Sequence, residues 1–354
     1  MGEEKTLKFK INQFRLAFPL ADQDSELDID SKHKRILKES SKTLDWMGSL
    51  TYKNLRNWHM QSDMDAPPSL RAIVNGGIQG LPSASESILM GIFRRRQVAE
   101  LRGSMEDDLS VIKLSGAYDL LKANPVHVTP GKTPYVMKDG ASYNNRWLRY
   151  IYLAGQIRKF ELLQTDSIWV DIGSYYGGLQ SIIKKWNKET AIVLVDFHHQ
   201  LLRSYVFLSE MFPDSIHNLG VSGDIGKIRP GTFSYIPVTE FSQLNEMRTT
   251  LVTNFFSFGE MKRKDFTSYI DSPLFQRSHK IYSVNRVVSA PFFEPTYDSD
   301  LTVWDYNFEN FNMIYFDLFP IHHYQAINRE LYGKTRYRNA SSPYFELIQL
   351  QNKS

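Results

Sequence analysis

Residues 169–196, WVDIGSYYGGLQSIIKKWNKETAIVLVD, decide the fold. A short apolar run ends in Asp171 and Gly173, and a second run, rich in β-branched residues, ends in Asp196. Between them apolar residues recur at the spacing of one helix face; they are Leu179, Ile182, Ile183 and Trp186. Strand, glycine turn, helix and strand in this order predict a parallel pair joined by a crossover helix.

The pattern continues on both sides of this stretch. Amphipathic helices are predicted at 145–160 and 201–212. Further strand-like runs follow at 233–238, 250–258, 280–288, 312–319 and 343–350. We therefore expect an α/β protein with a Rossmann-like sheet, helices on both faces, over residues 131–354. Helical patterns at 31–50 and 86–102 predict a mainly helical region over residues 1–130, which we interpret as an acceptor-side cap or an oligomerisation element.

Composition excludes several classes of protein. The 354 residues carry a net charge of only +3, too little to indicate a nucleic-acid or membrane surface. The chain has no cysteine, which excludes disulfides, thiolate metal sites and a cysteine nucleophile. No apolar stretch is long enough to span a bilayer. A cytoplasmic location without a transmembrane segment is the expectation.

The glycine turn after the first strand indicates a ligand site, because ligands of such sheets bind at the carboxyl ends of the strands. Gly173 would allow a sharp turn, and Gly177 would allow the following helix to pack closely. Asp171 suits a ligand that carries an ammonium group, and Asp196 lies where a carboxylate takes both ribose hydroxyls.

The turn departs from the dinucleotide pattern. Gly-x-Gly-x-x-Gly requires a glycine where this chain has Tyr175. An amino-acid-bearing nucleoside, S-adenosylmethionine, therefore fits better than NAD, and an NAD-type oxidoreductase is the less favoured enzyme. Tyr175 either narrows the pocket or leaves the backbone path unchanged; we favour the second. If Tyr175 obstructs the site, the protein would be an inactive methyltransferase-fold binding module.

Four segments, taken together and in this order, resemble the bacterial sugar O-methyltransferases of polysaccharide-synthesis loci. They are VDIGSYYGG, VDF at 195–197, LVTNFFSFGEM at 251–261 and IYSVNR at 281–286. The resemblance covers about residues 140–330 and departs from the family pattern at Tyr175. It implies a class I methyltransferase that uses S-adenosylmethionine to methylate a hydroxyl of a sugar in a polysaccharide, glycolipid or nucleotide-sugar precursor. A sugar or glycan acceptor is then the expected partner, no nucleic acid is expected, and a homo-oligomer is left open.

These considerations assign candidate site residues. Cofactor contacts are expected from the glycine turn and the ends of two further strands: Asp171, Gly173, Ser174, Tyr175, Gly177, Asp196, Phe197 and Asn254. Acceptor contacts are expected from Asn285, Arg286 and His323.

The proton acceptor for a sugar hydroxyl should follow the fourth strand, where Glu260 stands; His198 and His322 are the alternatives. Each has a plainer interpretation: Glu260 could neutralise the next helix amino terminus, and Arg286 could form an ordinary salt bridge. His322 with Asp317 lacks metal-ligand spacing, so no metal is expected.

Overall fold

The computed structural model describes residues 3–19, 105–130, 136–221, 223–289, 301–321, 324–327, 336–339 and 343–352. The chain divides into two compact units. Unit 1 comprises residues 1–51, 157–319 and 341–354, and unit 2 comprises residues 52–156 and 320–340. The division at residue 130 stays a prediction. The predicted helical patterns at 31–50 and 86–102 lie outside the described residues.

The described helices, in chain order, are α1 Glu3–Ala17, α2 105–114, α3 Tyr118–Ala123, α4 Asn145–Lys159, α5 Gly178–Trp186, α6 His198–Met211, α7 Arg263–Ile270 and α8 Pro273–Gln276. The described strands are β1 Val136–Lys138, β2 Ala141–Tyr143, β3 Ile168–Ile172, β4 Ala191–Asp196, β5 His217–Leu219, β6 Phe233–Pro237, β7 Leu251–Phe255, β8 Lys280–Arg286, β9 Phe311–Leu318, β10 Tyr324–Ile327, β11 Arg336–Asn339 and β12 Tyr344–Gln351.

Unit 1 is built on an eight-stranded sheet with the order β5-β6-β4-β3-β7-β8-β12-β9. The six strands from β5 to β8 in this order are parallel, and β12 runs antiparallel to both of its neighbours. The predicted Rossmann-like α/β sheet is thus confirmed. Because β3, β4, β7 and β8 are parallel, their carboxyl ends share one edge of the sheet, and most candidate residues follow those ends.

The apolar runs of the sequence form the centre of this sheet. Val170, Val193 and Val252 are completely buried, on adjacent parallel strands. They belong to one core cluster with Phe258, in the turn after β7, and with Phe266 of α7. Burial of each such side chain stabilises the fold by about 1.5–3 kcal/mol. The turn after β7 is thus anchored in the core through Phe258.

Helix α1 and strand β5 of unit 1 were not among the predicted elements. Helix α1 packs on α6: the Tyr205 hydroxyl donates to Gln13 over 2.9 Å, and Lys10 forms an ion pair with Glu210. The buried face of α1 is apolar, with Leu7, Ile11, Phe14 and, just past its end, Phe18. Strand β5 adds three residues at the edge of the sheet beside β6.

Unit 2 contains α2, α3, the hairpins β1-β2 and β10-β11, and residues 145–156 of α4. The indole N–H of Trp147 donates to the Asn124 carbonyl over 2.7 Å, which ties the start of α4 to the end of α3. Both residues are at least 98% buried. Gly155 lies where a Cβ would come within 2.7 Å of Ala117, so α4 approaches the start of α3 closely.

Candidate functional site

Gly173 begins a sharp turn that only glycine can make. Its φ is +81°, and its N–H donates to the Val195 carbonyl over 2.8 Å. A Cβ built at this position would lie 2.3 Å from the Ser257 hydroxyl oxygen. The expected role of Gly173 in the turn is therefore met by both the backbone conformation and the lack of space.

Tyr175 adopts the backbone conformation that the missing glycine would have. Its φ is +55°, in the left-handed region that non-glycine residues rarely enter. The Arg203 guanidinium lies over its ring, 4.9 Å from the centroid. The half-buried side chain thus packs against a residue of α6, while the backbone keeps a conformation that favours glycine.

Asp196 ties this turn to the end of the neighbouring strand. Its Oδ2 accepts from the Tyr175 N–H over 2.7 Å, and its Oδ1 accepts from the Phe197 N–H over 2.8 Å. Ser174 lies in the same turn, is 5% exposed, and its hydroxyl has no hydrogen-bond partner.

Gly177 precedes α5 and has a φ of +90°. A Cβ there would lie 2.9 Å from the side chain of Leu208. The close approach expected at this glycine is thus made to helix α6. The cause is that α5 and α6 are neighbours on the sheet.

Asp171 is held inside the protein. One carboxylate oxygen accepts from the Thr253 hydroxyl over 2.5 Å, and the other accepts from the Gln180 amide. The pKa of Asp171 is raised to about 7, chiefly because burial disfavours the charged form; the negative charge of Asp196 contributes to this rise, and the two hydrogen bonds act in the opposite direction. The Trp169 indole donates to the same Thr253 hydroxyl over 2.8 Å, which leaves that hydroxyl's hydrogen for Asp171.

Asn254 is the centre of a hydrogen-bond network at the end of β7. Its Nδ2 donates to the Ile172 carbonyl over 2.8 Å and to Ser257 over 2.5 Å. Its Oδ1 accepts from the Phe258 N–H over 2.9 Å and from the Asn285 amide over 3.0 Å. These contacts connect the turn after β3 to the turn after β7.

Asn285 and Arg286 hold the turn that carries Glu260. The Asn285 Oδ1 accepts from the Gly259 N–H over 3.1 Å, and Asn285 is completely buried. Arg286 donates to Glu260 over 3.0 Å and to the Tyr344 hydroxyl over 3.1 Å. The Arg286 side chain is 2% exposed, whereas that of Glu260 is 26% exposed. The salt bridge considered for Arg286 is therefore present.

Glu260 ends the short 3₁₀ turn Phe258–Glu260 that follows β7. The next helix, α7, begins after Lys262 and has no side-chain cap. The alternative in which the charge of Glu260 neutralises that helix amino terminus stays a prediction.

Phe197 and the two histidines that follow it have aromatic neighbours. Phe197 is the N-cap of α6 and stacks on His199, with centroids 5.9 Å apart. His198 is 5% exposed and meets Phe18 edge-on at 5.4 Å. The predicted residues His322 and His323 lie outside the described residues.

Eight of the predicted residues lie in two groups at the carboxyl ends of the parallel strands. The turn group consists of Gly173, Ser174, Tyr175 and Asp196, and the network group consists of Asn254, Asn285, Glu260 and Arg286. Sequence reasoning missed the residues that support them, which are Gln180, Arg203, Thr253 and Ser257. Thr253 and Ser257 lie inside the quoted segment at 251–261, and Gln180 closely follows VDIGSYYGG, but their bonding depends on tertiary contacts.

Within the described ranges there is no group of three or more His, Asp or Glu side chains that could hold a metal ion. No helix in those ranges is long and apolar enough to cross a membrane.

Comparison with known proteins gives distant structural similarity. No protein-family model and no curated protein matches the chain. Among solved structures, the chain is similar to magnesium protoporphyrin IX methyltransferase from Synechocystis PCC 6803 with bound S-adenosylmethionine, at 8% identity and a TM-score of 0.38, covering 59% of this chain and 80% of that one. A SAM-dependent methyltransferase from Anabaena variabilis has 12% identity and a TM-score of 0.35; the similarity covers 56% of this chain and 84% of that one. A small RNA methyltransferase has 15% identity and a TM-score of 0.36; the similarity covers 63% of this chain and 28% of that one.

Proposed function

We propose that the protein is an S-adenosylmethionine-dependent methyltransferase. The observation that carries the proposal is the bond from the Tyr175 N–H to Asp196, at the carboxyl ends of adjacent parallel strands. It sets a glycine-type turn beside an acidic strand end, the arrangement in which a Rossmann-like sheet binds a nucleoside. The chain has no glycine at the middle position of the dinucleotide pattern, which argues against NAD.

The residues present fit this cofactor. Ser174 offers a buried hydroxyl without a partner, which a bound ligand would satisfy. Asp196 stands at the carboxyl end of β4, where a carboxylate would accept from the ribose hydroxyls. Asp171 and Asn254 bond within the protein, and we propose that they act mainly by fixing the turn; the ammonium contact first expected of Asp171 is then at most indirect.

When bound, the cofactor supplies an electrophilic methyl group, and the protein contributes alignment and a proton acceptor. We propose Glu260 as that acceptor for the hydroxyl proton of the substrate. The Arg286 guanidinium fixes one Glu260 oxygen by a charge-assisted hydrogen bond. The partial exposure of Glu260 leaves it open to a ligand. Arg286 and Asn285 then position Glu260 and do not themselves contact the acceptor.

A sugar hydroxyl is the acceptor we propose. The support is the resemblance of the four segments to sugar O-methyltransferases. The structurally similar proteins act, by their names, on a porphyrin and on small RNA; a sugar acceptor must therefore be tested directly.

Calorimetric titration with S-adenosylhomocysteine, S-adenosylmethionine and NAD tests the cofactor. We expect the two adenosyl ligands to bind and NAD to fail. Asp196→Ala should weaken S-adenosylhomocysteine binding by about 10²-fold, because charge-assisted bonds to the ribose are lost. Asp214→Ala, an exposed carboxylate change on the loop after α6, is the matched control and should bind normally. Binding of NAD alone, or unchanged affinity in folded Asp196→Ala, would overturn the assignment.

A further inference from the structure

We propose that Trp304 is a stacking platform for a sugar ring of the acceptor, at the same edge of the sheet as Glu260. The proposal rests on the proposed function, since it extends the acceptor side of that site. Both residues belong to unit 1, and Trp304 is in neither the turn group nor the network group.

Trp304 is an exposed aromatic residue on a well-anchored turn. It is 83% exposed, whereas Tyr306, two residues later, is completely buried in the core cluster. The short 3₁₀ turn Val303–Tyr306 has a capping box, in which the Thr302 N–H donates to Asp305 over 2.7 Å. The backbone below the indole is therefore ordered before any ligand arrives, so little further ordering is needed on binding.

The turn is attached to the carboxyl end of β8. Past that end the chain pairs with the segment that leads into the turn, and the two segments form a short antiparallel ribbon. The Val303 N–H donates to the Val287 carbonyl over 2.9 Å, and Val288 forms an isolated bridge with Thr302. The indole therefore stands at the edge of the sheet that carries the candidate site.

A second connection joins the turn to the residues that follow Glu260. The guanidinium of Arg263, the first residue of α7, donates to both carboxylate oxygens of Asp305, over 2.6 and 3.5 Å. Asp305 is the residue after Trp304, and Arg263 is three residues after Glu260. The platform and the proposed proton acceptor are thus linked both through β8 and through α7.

The pattern of burial shows which side of the ribbon carries the indole. Val287 and Val303 pack against the core cluster. Successive residues of an extended chain point to opposite faces, and Val288 is accordingly 41% exposed. In a 3₁₀ turn, residues three apart share a face, so Val303 and Tyr306 face the core while Trp304 faces away from it. The exposed side of the ribbon therefore presents apolar groups.

A pyranose ring suits such a surface. The C–H groups on the face of the ring are apolar and slightly positive, and the face of an indole is flat, apolar and slightly negative. The hydroxyl groups at the rim of the sugar stay free for hydrogen bonds. An aromatic side chain has only two rotatable bonds, so stacking on it loses little conformational entropy. Trp304 would thus contribute to binding of the acceptor, and Glu260 to the chemistry at its hydroxyl.

The test is fluorine NMR of the intact protein labelled with 5-fluorotryptophan. The chain has six tryptophans, and the signal that disappears in Trp304→Phe belongs to Trp304. The probes are cellotetraose, mannotetraose and galactotetraose at millimolar concentration, with uridine as a nucleobase probe. We expect at least one glycan to shift the Trp304 signal, and uridine to leave it in place. A Trp304 signal that no glycan shifts, or that only uridine shifts, would overturn the proposal.

Calorimetric titration with the glycan that binds then tests whether the indole is responsible. Trp304→Ala should weaken binding about five-fold or more, whereas Trp304→Tyr keeps an aromatic face and should stay within about two-fold of the wild type. Ile216→Ala is the matched control, because Ile216 is an exposed apolar residue beside β5, at the far edge of the sheet. It should bind like the wild type. Equal affinity in Trp304→Ala would contradict the platform.

Titration with S-adenosylhomocysteine separates this proposal from the proposed function. The wild type and Trp304→Ala should bind it equally and have equal melting temperatures, because the indole is exposed and lies outside the cofactor turn. If S-adenosylhomocysteine binds and no glycan does, the platform is wrong and the methyltransferase assignment stands. If a glycan binds at Trp304 and S-adenosylhomocysteine does not bind, the proposed function fails and a sugar site remains. Loss of S-adenosylhomocysteine binding in Trp304→Ala would overturn the assignment of Trp304 to the acceptor.

Discussion

Arg286 and Glu260 form an ion pair in which the arginine is buried and the carboxylate is partly open, with 3.0 Å between Nη2 and Oε1. The Tyr344 hydroxyl takes a second guanidinium bond. The carboxylate therefore has a fixed direction although it stands on a short surface turn.

Glu260→Gln should abolish most of the methyl transfer. The amide keeps the shape of the side chain but cannot accept the proton, so turnover should fall by roughly 10²-fold or more while S-adenosylhomocysteine affinity holds. The measurement is turnover with an acceptor that the wild type methylates, with Glu309→Gln as the exposed control. Near-normal turnover would shift the assignment to His198 or His322.

Tyr175→Gly should leave cofactor binding nearly unchanged. Removing a side chain from a left-handed position relieves roughly 1 kcal/mol, and losing the ring beneath Arg203 costs about 0.5–1 kcal/mol. Both S-adenosylhomocysteine affinity and the free energy of unfolding should therefore stay within about 1 kcal/mol of the wild type, and Tyr175→Phe should match the wild type. A large gain in affinity in Tyr175→Gly would show that the tyrosine obstructs the site.

Gly173→Ala should be far more damaging than Gly223→Ala, although both glycines have positive φ, +81° and +76°. A Cβ at Gly223 meets nothing within 4 Å, so only the backbone cost of about 1–2 kcal/mol applies there. At Gly173 the Cβ collides with Ser257 as well, and S-adenosylhomocysteine binding should be lost. Urea unfolding and calorimetry compare the two. Equal effects would mean that the turn has room to relax.

Asp171 should make the protein less stable as pH rises from about 4 to about 7. Its pKa is about 7 in the folded protein, against an ordinary value of 3.8 for an aspartate carboxyl, so in this window the folded state holds a proton that the unfolded state has lost. The free energy of unfolding then falls by up to about 1.4 kcal/mol per pH unit from this group.

Asp171→Asn cannot ionise and should lack this dependence. Relative to the wild type, its free energy of unfolding should be higher at pH 8 than at pH 5, as measured by urea titration at both values. The same difference at both pH values would contradict the raised pKa.

The sequence was informative where structure is local. Buried β-branched runs predicted the parallel strands, and the glycine turn predicted the position of Asp196 beside it. Strand β5 escaped prediction because three residues give no periodicity. Helix α1 did carry a signal, since Leu7, Ile11, Phe14 and Phe18 recur at helical spacing. Its partner on α6 could not be found from spacing alone.

The site was predicted less completely for the same reason. Asn285 and Arg286 stand at a strand end, so their position was predictable, but their bonds to Gly259 and Glu260 depend on how two strands pair. Likewise, the pKa of Asp171 depends on burial under α5, which no motif encodes.

The packing of α1 on α6 has a consequence for the order in which the chain is made. Synthesis delivers α1 before α6, and the surface that covers Phe14 and Phe18 emerges only after β3 and β4 have been translated. Until then the apolar face of α1 has no native partner on α6, and a nascent chain with such a face is prone to aggregation. Closing so long a loop costs little more entropy than closing a shorter one, so α1 can still dock after most of the sheet has been translated.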